Sequence, residues 1–188
     1  MLLTNNHTMN KYFLYVGSAY PHKNLKRLIE AIKLLNIKSD QQVDLLIISG
    51  RGPFIERLNT SITKIGAEKY TKLSGFVSDE KLKSLYRNSV SFIFPSLSEG
   101  FGLPGLEAME AGTLLLASDI PVFKEVYKSA AIYFDPLDVK SISLAMLKAL
   151  QMLPSKRDEI ISSAHRFAKR YSWTKMARET LDVYESSV

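Results

Sequence analysis

In the stretch SEGFGLPGLEAMEAG, Ser98 to Gly112, two glutamates stand eight positions apart around three glycines and one proline. The apolar run VSFIFP precedes it, and Pro104 suits the first position of a helix. A glycine-rich turn feeding a helix start presents free backbone N–H groups and a partial positive charge, which favours a phosphate. A carboxylate beside a phosphate is repulsive unless it has another task, such as accepting hydrogen bonds from sugar hydroxyls. Glu99 and Glu107 flanking an anion seat therefore fit a ligand with a diphosphate between two polyols, the layout of a nucleotide sugar. The alternative is that Glu107 only stabilises the first helical turn while Glu99 sits in solvent. Glu110 has no such setting and reads as a solvated helix residue.

Other loops carry further candidates. GSAYPHKN runs from Gly17 through Ser18 to Lys23 and Asn24. Asn24 is placed to cap the next helix, and Lys23 would project beside that helix start as a point charge for a phosphate. Taken alone, Lys23 also reads as a surface lysine of a basic protein. In GFVSDEKL the backbone at Phe76 and Val77 is placed to read a base edge, with Phe76 or Leu82 against the base face; both side chains also read as core. GRGP places Arg51 in a glycine-rich turn within reach of an anion.

The three histidines (His7, His22, His165) are scattered, and no carboxylate cluster has metal-ligand spacing, so no metal is expected. There is no nucleophile elbow, no Walker lysine motif and no strand-linked G-x-G-x-x-G with a trailing acid. The net charge of +6 suggests anionic partners. The basic residues are spread through helices rather than interleaved with exposed aromatics, which argues against nucleic acid. No apolar run approaches the ~20 residues of a membrane span. The segment MLLTNNHTMN lacks a signal-peptide pattern, and the absence of cysteine fits a cytosolic protein.

These loops need elements to position them. Strands are expected at YFLYVG, VDLLIISG, YTKLSG, VSFIFP, TLLLAS and AAIYFD. Helices are expected at 25–35, 54–65, after Ser78, from Pro104 to about Gly112, at PVFKEV, at 139–153 and at 156–171. A last one, capped by Ser172 or Thr174, runs to the C-terminus. Strands apolar throughout imply a parallel sheet covered on both faces. Six strand–helix alternations imply one Rossmann-like, doubly wound α/β domain over 11–188, behind a flexible segment at 1–10. Ligands of such sheets bind outside the carboxyl ends of the strands, so the candidate loops gather on one rim. Of the five loops that follow strands, all but SDIP contain glycine, allowing close approach of a ligand or of backbone.

Together these segments resemble the C-terminal, donor-binding half of retaining glycosyltransferases of the GT-B fold, family 4 (glycosyl transferases group 1). The resemblance runs from about Tyr12 to Tyr184. It rests on FLYVGSAYPHKNLKRLIEAI, LSGFVSDEKLKSLYRNS, FPSLSEGFGLPGLEAMEAGTLLLASDIPVFKEV and YSWTKMARETLDVY. Glu99 and Glu107 form the family's E-x7-E element. The resemblance implies that Lys23 contacts the donor diphosphate and that Glu99 binds hydroxyls of the transferred sugar, the two forming the catalytic pair. It implies backbone contacts around Gly100, Phe101, Gly102 and Leu103, ribose contact at Glu107, and base contact through Val77. It further implies no cofactor, only a UDP-sugar or GDP-sugar donor, with the departing diphosphate stabilised by basic side chains and a helix dipole without a divalent metal.

One departure stands out: many members have arginine after the glycine of the first loop, where this chain has Ser18 after Gly17. Either the Ser18 hydroxyl substitutes, or Arg51 or His22 supplies the missing donor. The PHKN loop resembles a PRKN-bearing subset that often transfers mannose. The family also pairs this domain with an N-terminal acceptor-binding domain. The expected function is thus donor binding for hexose transfer to a glycan or lipid-linked acceptor, inactive without that domain or a separate chain. The alternative is a non-catalytic nucleotide-binding subunit or scaffold. The resemblance implies a cytoplasmic protein, peripheral at the inner membrane face in the full enzyme. Its final helix, normally packed across the partner domain, would expose an apolar face here.

Overall fold

The computed structural model describes residues 10–39 and 41–187. The segment expected to be flexible therefore lies outside the described residues except for Asn10, which is exposed.

Six strands, β1 (Tyr12–Val16), β2 (Asp44–Ile48), β3 (Thr71–Ser74), β4 (Ser91–Phe94), β5 (Leu115–Ser118) and β6 (Ile132–Phe134), form one sheet in the order β3-β2-β1-β4-β5-β6. Every pairing is parallel. Side chains alternate across a strand, and here both faces are covered. Phe13, Tyr15, Leu45, Ile47, Ile93 and Leu116 enter one core, while Tyr12, Leu14, Leu46, Ile48, Phe92, Phe94 and Leu115 enter the other. That is why the strands read as continuous apolar runs rather than alternating ones.

The first core is closed by α1 (Leu25–Lys38), α2 (Pro53–Ile65) and α6 (Val139–Leu150). The second is closed by α3 (Asp79–Asn88), α4 (Leu103–Glu110), α5 (Pro121–Tyr127) and α7 (Pro154–Ala168). Ser78 caps α3 by accepting from the Lys81 N–H at 3.3 Å, as its sequence suggests. Helix α6 ends at Leu150, short of the expected Leu153. Leu153 precedes Pro154 and is extended (φ −59°, ψ 138°), since a residue before proline is pushed out of the helical region.

The C-terminal helix α8 (Trp173–Ser186) is capped by Ser172, and all its residues are exposed. Trp173, Met176, Leu181, Val183 and Tyr184 are each more than half exposed. The expected apolar face is present and uncovered. No helix among the described residues is long and apolar enough to cross a membrane.

Asn24 corrects one expectation. It occupies the position before α1 but makes no side-chain cap; its backbone is left-handed (φ 59°). Its amide instead donates to the carbonyl oxygens of Pro95, at 3.0 Å, and Pro136, at 2.7 Å. One buried side chain thus ties the loops that follow β1, β4 and β6. Asn24→Ala leaves two carbonyls without donors and should lower stability by about 1–2 kcal/mol, read as a lower urea midpoint at unchanged slope.

Candidate functional site

The order β3-β2-β1-β4 places the chain's reversal between β1 and β4. In a doubly wound sheet the loops leaving these two strands diverge, and the crevice between them is where ligands bind. Here they are Gly17–Asn24 after β1 and Pro95–Gly102 after β4. They meet directly, the Leu97 N–H donating to the His22 carbonyl at 2.8 Å.

Lys23 ends a short 3-10 turn, Pro21–Lys23, that was not expected from the sequence. Its ammonium lies 2.6 Å from Glu99 Oε1, with the two side chains only 17% and 12% exposed. It also lies 5.9 Å from the centre of the Phe94 ring. So neither residue fits the alternative reading: Lys23 is not a free surface lysine, and Glu99 does not sit in solvent. Two oppositely charged groups 76 residues apart are paired in the crevice, largely shielded from water.

Next to them the turn Gly100–Gly102 enters α4. Gly102 adopts φ +101°, which side-chain-bearing residues rarely adopt, and Pro104 stands in the first turn. The N–H of Leu103 has no acceptor among the described residues, as expected for a helix start. Glu107 is the fifth residue of α4, beyond the first turn, so it is not a first-turn dipole partner. It is exposed, yet its carboxyl titrates above the usual range. Partial burial is the main cause, repulsion from Glu110 and Asp79 adds to it, and the Tyr86 hydroxyl opposes it.

Tyr86, from α3, was not singled out from sequence. It is buried, its hydroxyl has no hydrogen bond of good geometry, and burial, then Glu107, raises its pKa. Asp79, the first residue of α3 and just after Phe76 and Val77, lies close enough to repel Glu107, so both ends of α3 face that carboxyl.

The loop after β3 separates its candidates. Phe76 is 91% exposed, an unpacked ring, whereas Val77 and Leu82 are partly buried against the core that contains Leu85 and Tyr86. Leu82 thus packs against that core, and Phe76 does not. Arg51 is exposed and makes no ion pair among the described residues. Its turn is held to the first loop by Tyr20, whose ring meets Phe54 edge-on at 4.9 Å and stacks on His22 at 6.0 Å. Ser18 is half-buried, its carbonyl accepting from the Tyr15 hydroxyl at 2.7 Å. Gly17 lies against that same hydroxyl. The Phe101 ring packs edge-on against Tyr171 at 5.6 Å, and both line a groove of about 610 Å3 together with Met176, Thr180 and Tyr184 of α8. Among the described residues, no three His, Cys, Asp or Glu are grouped to hold a metal ion.

A six-stranded parallel sheet in this order, with a crevice where the order reverses, is a Rossmann-like fold. Residues 4–167 match the family described as Glycosyl transferases group 1, and the chain belongs to it. It is 33% identical over 174 residues to O-antigen chain mannosyltransferase B of Escherichia coli, covering 93% of this chain and 45% of that protein. It is 34% identical over 165 residues to O-antigen chain mannosyltransferase RfbU of Salmonella typhimurium, covering 88% and 44%. The sucrose-phosphate synthase of Thermosynechococcus elongatus superposes with a TM-score of 0.82 at 21% identity, covering 94% of this chain and 45% of that one. The chain spans about half the length of the curated relatives it matches.

Proposed function

We propose that this chain is the donor-binding domain of a retaining hexosyltransferase, taking a nucleoside-diphosphate sugar whose base is uracil or guanine. The observation that carries this reading is the Lys23–Glu99 pair at the sheet's reversal point, beside the start of α4. It supplies one cation for a diphosphate and one acceptor for sugar hydroxyls in a single half-buried place. In the bound state Lys23 turns to the diphosphate, joined there by the N–H groups at the start of α4. Glu99, released, accepts from the hexose. Glu107 accepts from the ribose, and the exposed Phe76 ring offers a face to the base, with Val77 presenting its backbone. Ser18 and His22 on the first loop and Arg51 on the second remain the candidates for a further phosphate contact.

Charge growing on the departing diphosphate is met by Lys23 and the α4 dipole, fixed in place before reaction; no divalent cation is required in this scheme. The acceptor site is assigned to a second domain, and the domain alone transfers nothing. Mannose is the favoured sugar, since several relatives are named as mannosyltransferases. A lipid-linked acceptor would place the full enzyme in the cytoplasm, peripheral at the inner membrane face.

Calorimetric titration with UDP, GDP and ADP tests the reading; no heat from any of them at millimolar ligand rejects it. Glu107→Gln should weaken the nucleoside diphosphate that binds by about fivefold, the loss of one charged acceptor, and leave inorganic pyrophosphate unchanged. Equal loss for both ligands would contradict the ribose role. The raised pKa of Glu107 adds a pH signature. Its carboxylate is the binding form, so on acidification nucleoside diphosphate affinity should fall at a higher pH than an ordinary glutamate would give. The Glu107→Gln protein should lack that fall.

A further inference from the structure

Tyr127, the last residue of α5, is fully buried, its ring 5.0 Å from that of Phe123. Its hydroxyl donates to the carbonyl oxygen of Gly102. The ring fills the space in front of two glycines: a Cβ on Gly102 or on Gly105 would collide with Tyr127. The glycines of GFGLPG are thus partly explained by an aromatic side chain reaching in from another helix.

The Gly102 carbonyl and the Leu103 N–H belong to one peptide group. A proton donated to the oxygen draws electron density through the amide and strengthens the N–H at its other end. Leu103 N–H is the first of α4 and has no acceptor among the described residues. The Gly102 carbonyl takes a second bond, from the Gly105 N–H at 3.1 Å, so this peptide is held from two sides. Burial first, then the Glu99 charge, keeps the phenol from ionising. It therefore remains a donor across the working pH range.

We propose, on the reading of the rim as a diphosphate seat, that Tyr127 is a positioning residue for the donor. Its phenol O–H fixes the Gly102–Leu103 peptide and makes the Leu103 N–H a stronger donor to a phosphate oxygen. Tyr127 itself touches no ligand; it acts through that peptide. Tyr133 provides the control. Its hydroxyl donates to the Phe123 and Lys128 carbonyls, at 3.0 and 2.7 Å, in the same region of the fold without touching Gly102.

The test compares the unaltered chain, Tyr127→Phe and Tyr133→Phe by calorimetric titration with UDP, GDP, ADP and inorganic pyrophosphate. Tyr127→Phe keeps the ring and should weaken both the nucleoside diphosphate and pyrophosphate by about three- to tenfold. Tyr133→Phe should lose stability without losing affinity. A Tyr127→Phe protein that binds as tightly as the unaltered chain overturns the proposal and leaves the diphosphate seat standing, as does an equal affinity loss in both variants. No binding by the unaltered chain overturns the seat and the proposal together.

The Leu103 amide resonance supplies a measurement that needs no variant. In the unaltered protein its proton should move downfield on ligand addition, further than that of Gly105, whose N–H is already bonded. Binding that leaves the Leu103 amide unmoved overturns the proposal.

Discussion

Lys23→Met is expected to weaken nucleoside diphosphate binding by about 1.5–3 kcal/mol, roughly ten- to a hundredfold in Kd, while Glu99→Gln strengthens it. The opposite signs follow from one contact. The Lys23 ammonium is paired with Glu99 at 2.6 Å, and both side chains are mostly shielded. A diphosphate must take Lys23 from that carboxylate and then sit beside it. Removing the ammonium deletes the charge-assisted bond to the ligand and strands Glu99 where a second anion is about to arrive. Removing the Glu99 charge frees Lys23 in advance and lifts the repulsion. A several-fold tighter nucleoside diphosphate is expected from Glu99→Gln, since a partly buried pair holds its partner more firmly than a surface one. With the sugar attached the gain should vanish, because glutamine is the poorer acceptor for hexose hydroxyls. Titrations of the three proteins with a nucleoside diphosphate and its sugar read all of this. Glu99→Gln binding the sugar-free ligand more weakly would show that the pair does not compete with the phosphate.

That pair marks where the sequence stops being legible. Lys23 and Glu99 could each be singled out from their loops, because glycine, a helix start and a charge sit close together along the chain. That they bond to each other depends on the order of β1 and β4 in the sheet, which no local spacing contains. The strands were legible because burial on both faces leaves continuous apolar runs such as Phe13–Tyr15 and Leu45–Ile48. Family motifs made the rim legible too, through Glu99 and Glu107.

Asn24 shows the opposite case. Its type and position predicted a cap, but a left-handed backbone points its amide at two proline carbonyls far along the chain. Phe76, in the loop after β3, and Leu82, in the helix that follows, were indistinguishable from sequence as base contact or core. The start of α3 turns Leu82 inward and leaves Phe76 outside. Tyr127 and Tyr86 carried no signal, since a tyrosine on the buried side of a helix reads as core and both are indeed buried. What distinguishes them is where the hydroxyl ends, a property of tertiary packing. The loop glycines carried a mixed signal. Gly50, Gly75 and Gly100 face open space, as a ligand-approach role requires, while Gly102 and Gly105 are cleared for Tyr127.

Gly102→Ala should therefore be among the most damaging single-methyl changes in the chain, costing about 3 kcal/mol or more. Two separate penalties combine. At φ +101° an alanine is strained whatever space surrounds it. Its Cβ would also strike the Tyr127 hydroxyl and come within 2.9 Å of Phe123, both fully buried and unable to swing aside. Gly100, two residues earlier in the same turn, has nothing within 4 Å and no positive φ, so Gly100→Ala should stay within about 0.5 kcal/mol of the unaltered chain. Gly105 separates the two penalties, because it is helical and its conflict is with Tyr127 alone. Adding Tyr127→Leu to Gly105→Ala should recover much of the lost stability; adding it to Gly102→Ala should recover only the steric part. Urea unfolding of these five proteins measures the difference. Full recovery of the Gly102→Ala protein by Tyr127→Leu would mean that the turn bears no backbone strain, and that the glycine is there only to make room for the tyrosine.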